Sequence, residues 1–141
     1  MKKYATAGIK AIIQNNEGKF LAIQERINGI PKWTLPGGRI EIGEIPVETL
    51  VREVREEVGL VVTIEMIIGL WWNMSSDSTT PGQQNIYTTY LCSYQGGEIH
   101  HTDQMSDEDI LDYRWVTKEE FLPPDYVPAH ESLKDVVRML P

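Results

Sequence analysis

Residues 37–60 read GGRIEIGEIPVETLVREVREEVGL, and this segment decides how the chain is organised. Val47, Val51, Val54 and Val58 recur at i, i+4, i+7 and i+11, so residues 46–58 are predicted to form an amphipathic helix with the valines on its apolar face. Pro46 suits the first turn, where an N–H would find no partner anyway, and Gly59 suits a left-handed C-terminal cap. On that helix Glu53, Glu56 and Glu57 stand at i, i+3 and i+4, which predicts that they converge on one patch across from the valines. Three like charges there repel. A solvated surface tolerates this at about 0.2–0.5 kcal/mol per pair, whereas a hard divalent cation turns the repulsion into ligation by oxygen. Arg52 and Arg55 flank the cluster, placed to orient or partly neutralise it. By itself the E-x-x-E-E spacing leaves two readings open, a charged helix exterior and a metal site.

Upstream, residues 5–13 and 20–24 are short apolar runs separated by Asn15-Asn16-Glu17-Gly18, which predicts a β-hairpin. A polar stretch with Asn28-Gly29 and Pro31 leads to Trp33-Thr34-Leu35-Pro36-Gly37-Gly38, where the chain must bend into backbone angles that suit glycine. Downstream, residues 60–72 are a β-prone segment interrupted at Gly69, residues 75–82 an exposed loop and residues 85–94 another strand. Gly96-Gly97 reads as a turn that returns through a short strand at residues 98–100. An acidic segment, residues 103–112, precedes a strand at 113–116. Thr117-Lys118-Glu119-Glu120 has capping-box form and opens a short helix. After Pro123, Pro124 and Pro128, a last helix carries Leu133, Val136, Val137 and Leu140 on one face. No repeat or linker divides residues 1–141, which are predicted to be one domain.

The chain has 141 residues, with 13 Lys+Arg against 21 Asp+Glu, a formal net charge of −8. Such a field repels polyanions, which argues against binding nucleic acid polymers or anionic membranes. A carboxylate cluster around a divalent metal inverts that sign locally and welcomes phosphate. No apolar run approaches the roughly 20 residues of a membrane span. Thr6, Gly8 and Lys10 interrupt the place where a secretion signal needs an unbroken apolar region. A single cysteine, Cys92, excludes an internal disulfide framework and a multi-cysteine zinc site, in keeping with a reducing, cytoplasmic setting.

The residues around the glutamates bear on the open reading. Gly38, five residues, Glu44, seven residues, then Arg52-Glu53-Val54-Arg55-Glu56-Glu57-Val58-Gly59-Leu60 match every fixed position of G-x5-E-x7-R-E-U-x-E-E-x-G-U, with U aliphatic. In this the sequence resembles the Nudix hydrolases, and the flanking hairpin, long strands and late Arg114-Trp115-Val116 extend the likeness over nearly the whole chain. Thr49 is a mild departure, since a small alanine is frequent there. The resemblance implies an α+β protein with the Nudix fold, an α/β/α sandwich with a mixed β-sheet. It implies a phosphoanhydride hydrolase, in which water attacks a diphosphate joined to some other group. Glu53, Glu56 and Glu57 would hold Mg²⁺ or Mn²⁺, with the Gly38 carbonyl as a further ligand, while Arg52 orients a glutamate and Glu44 braces the loop. Physical chemistry agrees with this assignment. Hydrolysis of a phosphoanhydride needs charge neutralised on the phosphate oxygens and a water lined up for attack, and a metal also lets a carboxylate such as Glu53 or Glu57 act as base near neutral pH.

Outside the box the signals are weaker. Arg26 corresponds to an arginine that contacts phosphate in some relatives, and the alternative is a surface salt bridge. Trp33 and Tyr113 are candidates to stack on a substrate ring, although most strand aromatics are core. Asp107, Glu108 and Asp109 lie where some relatives place a further metal ligand or base. The histidines lack metal-site spacing, and Cys92 reads as a buried small hydrophobe. Stretches near residues 25–29, 106–109, 114–116 and 128–132 look like a small bacterial phosphatase branch acting on hydroxymethylpyrimidine pyrophosphate, thiamine pyrophosphate and nucleoside di- or triphosphates. The alternatives are a MutT-like house-cleaning nucleoside triphosphate pyrophosphohydrolase and a non-catalytic nucleotide sensor. A small phosphate compound is the expected partner, and a homodimer is plausible on base rates.

Overall fold

A computed structural model describes residues 1–75, 81–100 and 109–141. Its strands are β1 (Thr6–Gln14), β2 (Phe20–Ile27), β3 (Ile30–Thr34), β4 (Gly37–Arg39), β5 (Leu60–Met74), β6 (Gln84–Gly97) and β7 (Ile110–Val116). The helices are α1 (Pro46–Val58), the single turn α2 (Lys118–Phe121) and α3 (Glu131–Arg138). The sheet runs β3-β2-β1-β6-β5, with β4 added beside β1 and β7 beside β2. It is mixed, because β1 and β6 pair in parallel from Thr6↔Asn85 to Gln14↔Ser93 while the remaining ladders are antiparallel. The expected hairpin exists, but its two strands pair only at Gln14↔Phe20 before diverging.

Alternation along β1 divides the core. Ile9, Ala11 and Ile13 meet Leu50, Val54 and Val58 of α1, whereas Ile12 meets Leu133, Val136 and Val137 of α3. The sheet therefore lies between two helical layers, the α/β/α sandwich expected from the sequence. The second layer is fastened by Thr117, whose side chain forms the expected capping box with Glu120, and by the buried ammonium of Lys134, which donates to the carbonyls of Leu122 and Pro123 at 3.0 Å each. At the outer strand β5, the Ser132 hydroxyl accepts the Trp72 N–H and donates to the Trp72 carbonyl, both at 3.0 Å.

Three local expectations are corrected. Residues 98–100 form no strand, and Gly96 and Gly97 are the last residues of β6, paired with Val61 and Leu60. Gly69 does not break β5; it coincides with a register shift and lies under Val136. The buried stripe of α1 is Thr49, Leu50, Val54, Glu57 and Val58, leaving Val47 exposed and Val51 half-buried. Among the described residues, no helix is long and apolar enough to cross a membrane.

Candidate active site

The site begins at the glycine pair. β4 lies antiparallel to β1, with Gly37 opposite Lys10, Gly38 opposite Ile9 and Arg39 opposite Gly8. Gly37 has φ 139°, and a Cβ there would run into the Ile9 carbonyl oxygen, so only glycine fits. Its N–H donates to Glu57 Oε1 at 3.3 Å. Glu57 is 1% exposed and sits in the apolar stripe of α1, a position a carboxylate occupies only when paired or ligated. One turn earlier, Glu53 places its carboxyl carbon 3.7 Å from where a Gly38 Cβ would be.

Arg52 organises the outer side of the box. One of its nitrogens lies 2.8 Å from Glu44 Oε2, and the other lies 3.0 Å from Glu56 Oε2 and 3.4 Å from Glu53 Oε1. Glu44 in turn accepts the Glu41 N–H at 2.8 Å, fastening the loop that enters α1. That backbone N–H, followed by Arg52, holds the Glu44 carboxyl below the usual carboxylate range, and Glu44 above all holds Arg52 in its charged form. The brace is thus fully formed at neutral pH and loosens as the medium turns acid.

Glu53 and Glu56 meet at the same Arg52 nitrogen, Glu53 also lies beside Gly38, and Glu57 is buried at the Gly37 N–H. Among the described residues, no group of three or more His, Cys, Asp or Glu side chains is gathered closely enough to hold a metal as it stands. The donors at the glycine pair nevertheless fit a hard divalent cation. Two carboxylates, one of them buried, flank the bare Gly38 backbone, and every potential donor is oxygen. Asp107 and Glu108 lie outside the described residues.

Beside Arg39 a cavity of about 340 Å³ opens, walled by Arg26, Arg39, Asn73, Asn85 and Tyr87. Arg39 is exposed and makes no ion pair among the described residues. Arg26 also lines the cavity, and it forms the surface salt bridge of its alternative reading, with Asp109 at 3.4 Å. The Tyr87 ring occupies the space over Gly8, where any side chain would collide with it, and it stacks on Trp71 with centroids 4.6 Å apart.

The expected stacking role of Trp33 is not met. The 127–129 segment covers the edge of β3, with Trp33 donating its N–H to Val127 and accepting from Ala129 at 2.8 Å each. The indole is 6% exposed, packed on Tyr126 with the Arg114 guanidinium 5.7 Å from its centroid. Tyr113 is exposed on β7 and does not line the cavity. Arg39, Asn73 and Asn85 were missed from the sequence. Arg39 had a signal, a cation directly after Gly38. The asparagines had none, because only the β5–β6 register brings them together.

His130 caps α3, its Nδ1 accepting the Ser132 N–H at 3.1 Å, rather than serving a metal. Cys92 is fully buried, and burial pushes its thiol up to about 12. The folded protein is therefore expected not to react with a thiol reagent at pH 8, while the urea-unfolded chain reacts at once; a colorimetric thiol titration checks this.

A mixed sheet between two helical layers, with a glutamate-bearing helix docked against a glycine pair, defines a Nudix-fold protein. The NUDIX domain model matches residues 5–136. The phosphatase NudJ of Escherichia coli K12 is 34% identical over 112 residues, which is 79% of this chain and 69% of NudJ. In fold, the chain is similar to a MutT protein from Methanosarcina mazei, with a TM-score of 0.78 at 24% identity over 98% of this chain and 94% of the other. It is also similar to a MutT NUDIX hydrolase from Burkholderia pseudomallei, with a TM-score of 0.76 at 18% identity over 99% and 100%. The chain belongs to the Nudix family, in the NudJ-like branch, and is a phosphoanhydride hydrolase.

Proposed function

We propose that this enzyme hydrolyses a small diphosphate carrying a ring-containing group, by divalent-metal-dependent attack of water at phosphorus, with residues 1–141 acting as one catalytic domain. The observation that carries this reading is the buried Glu57 carboxylate beside the glycine pair, next to Arg39, which makes no ion pair among the described residues. Glu53, Glu57 and the Gly38 carbonyl would hold Mg²⁺ or Mn²⁺, and Glu56 joins them if it leaves Arg52. A bound cation would neutralise phosphate oxygens and lower the pKa of a coordinated water. Glu53 or Glu57 takes the proton from the attacking water. Arg52 keeps Glu53 and Glu56 oriented, and Glu44 fixes Arg52. Arg39 and Arg26 receive the phosphate charge, and the cavity beyond them takes the attached ring.

The test is release of phosphate and pyrophosphate from nucleoside di- and triphosphates, nucleotide sugars and thiamine-pathway pyrophosphates, with Mg²⁺ or Mn²⁺ and then with excess EDTA. Turnover abolished by EDTA supports the proposal; turnover that survives it overturns metal dependence. Arg39→Gln is expected to raise KM by about 10-fold or more, the scale of one charge-assisted hydrogen bond to phosphate, with a smaller change in kcat. Steady-state kinetics on the best substrate checks the split.

A further inference from the structure

Asn73 and Asn85, which line the cavity beside Arg39, belong to one row of the sheet. Thr6 on β1 stands opposite Asn85 on β6, and Asn85 stands opposite Asn73 on β5, so the three side chains share a face. They are joined in order. Thr6 Oγ1 lies 2.5 Å from Asn85 Oδ1, and Asn85 Nδ2 donates to Asn73 Oδ1 at 3.0 Å. A side-chain amide has one accepting and one donating end. In the first contact the Thr6 hydroxyl donates to the Asn85 oxygen, which puts the accepting end of Asn85 on Thr6 and its donating end on Asn73. Asn85 is 6% exposed, so water does not compensate a reversed amide. With Asn85 fixed, Asn73 must turn its oxygen inward. Its Nδ2 is left with two N–H groups that have no partner among the described residues, at the wall of the cavity. Tyr87, in the next row on the same face, adds a flat wall.

We infer that Asn73, polarised by Thr6 through Asn85, is the specificity-determining residue for the ring attached to the diphosphate, and that it selects a base presenting a carbonyl over one presenting an amino group. This rests on the proposed hydrolysis of a ring-bearing diphosphate. The cavity reads one end of its ligand as an anion, through Arg39 and Arg26, and the other end as a lone pair. A carbonyl accepts from Nδ2; an exocyclic amino group meets it donor to donor, leaving both unpaired. Thr6 and Asn85 are positioning residues.

UDP and CDP share the carbonyl at ring position 2 and differ along the adjoining edge, a carbonyl at position 4 beside N3–H against an amino group beside a bare N3, so their comparison tests recognition at that edge. The quotient of kcat/KM for UDP over CDP cancels any change common to both substrates. Wild-type enzyme is expected to favour UDP by about 10-fold or more, the scale of one buried hydrogen bond gained or lost. Asn73→Asp, which offers only acceptors, should reverse the quotient in favour of CDP. Asn73→Ala and Thr6→Val should bring it toward one. A quotient near one in the wild type, or one that survives Asn73→Asp and Asn73→Ala, overturns the inference. If Asn73→Asp does not fold, Asn73→Ala decides. Should the wild type hydrolyse neither nucleotide nor inorganic triphosphate, the proposed activity on these phosphates fails on its own. Base selection is then read from calorimetric binding of the α,β-methylene analogues of UDP and CDP, where equal affinity overturns the inference and tighter uridine binding sustains it.

Discussion

Glu57→Gln is expected to lower kcat by about 10²- to 10⁴-fold, the range for loss of a positioned proton acceptor, while the protein stays folded. Glutamine has the shape of glutamate and keeps a carbonyl oxygen to accept the Gly37 N–H, the contact that ties α1 to the glycine pair. What it removes is a negative charge in the buried stripe of the helix, where it no longer serves a cation or a proton. The variant should still melt as a folded protein, because the glutamine keeps the shape of the side chain and its tie to Gly37. Steady-state turnover beside a thermal melt separates the two effects. Activity within threefold of the wild type would remove Glu57 from the chemistry. Glu56→Gln serves as the comparison: its carboxylate is half-exposed in the Arg52 fork, so its loss should cost less.

Gly37→Ala is expected to destabilise the fold by about 3–5 kcal/mol, combining strain of order 1–3 kcal/mol for a side chain at positive φ with a similar penalty for overpacking. The new methyl group meets the Ile9 carbonyl, in the middle of the β1–β4 ladder, and neither strand can retreat without opening the sheet. Activity should fall with it, since the Gly37 N–H is what Glu57 leans on. Gly18→Ala supplies the reference. Its φ of 74° carries the backbone strain, but nothing lies within 4 Å of the added carbon, so the loss should stay near 1 kcal/mol. Urea denaturation of both variants measures the difference, and equal midpoints would refute the steric account.

Local chemistry wrote much of this architecture into the sequence. Pro46 and Gly59 delimit α1, with Gly59 in the left-handed conformation; Thr117 and Glu120 form their capping box; Leu133, Val136, Val137 and Leu140 are all buried together. The reading failed where the answer lay in a partner surface. Valine spacing placed Val47 and Val51 inward, yet the sheet chose the neighbouring stripe through Leu50, and in doing so drew Glu57 into the interior. No periodicity rule puts a carboxylate there; the tie to Gly37 does. Trp33 was a candidate to stack on a ring, and a proline-rich segment nearly a hundred residues later covers it. The parallel pairing of β1 with β6 joins residues some 79 positions apart, and the cavity wall of Asn73 and Asn85 depends on the separate register of β5 on β6.

The hydroxyl of Ser132 has one further effect. An outermost strand of 15 residues offers a row of unpaired amides on which another extended chain can zip. At Trp72 a single side-chain oxygen supplies both halves of what a neighbouring strand would supply, taking the N–H and giving a proton to the carbonyl. The rim is blunted at that point by a mimic of the missing strand, and α3, held there by its own first turn, stands where an invading chain would have to lie.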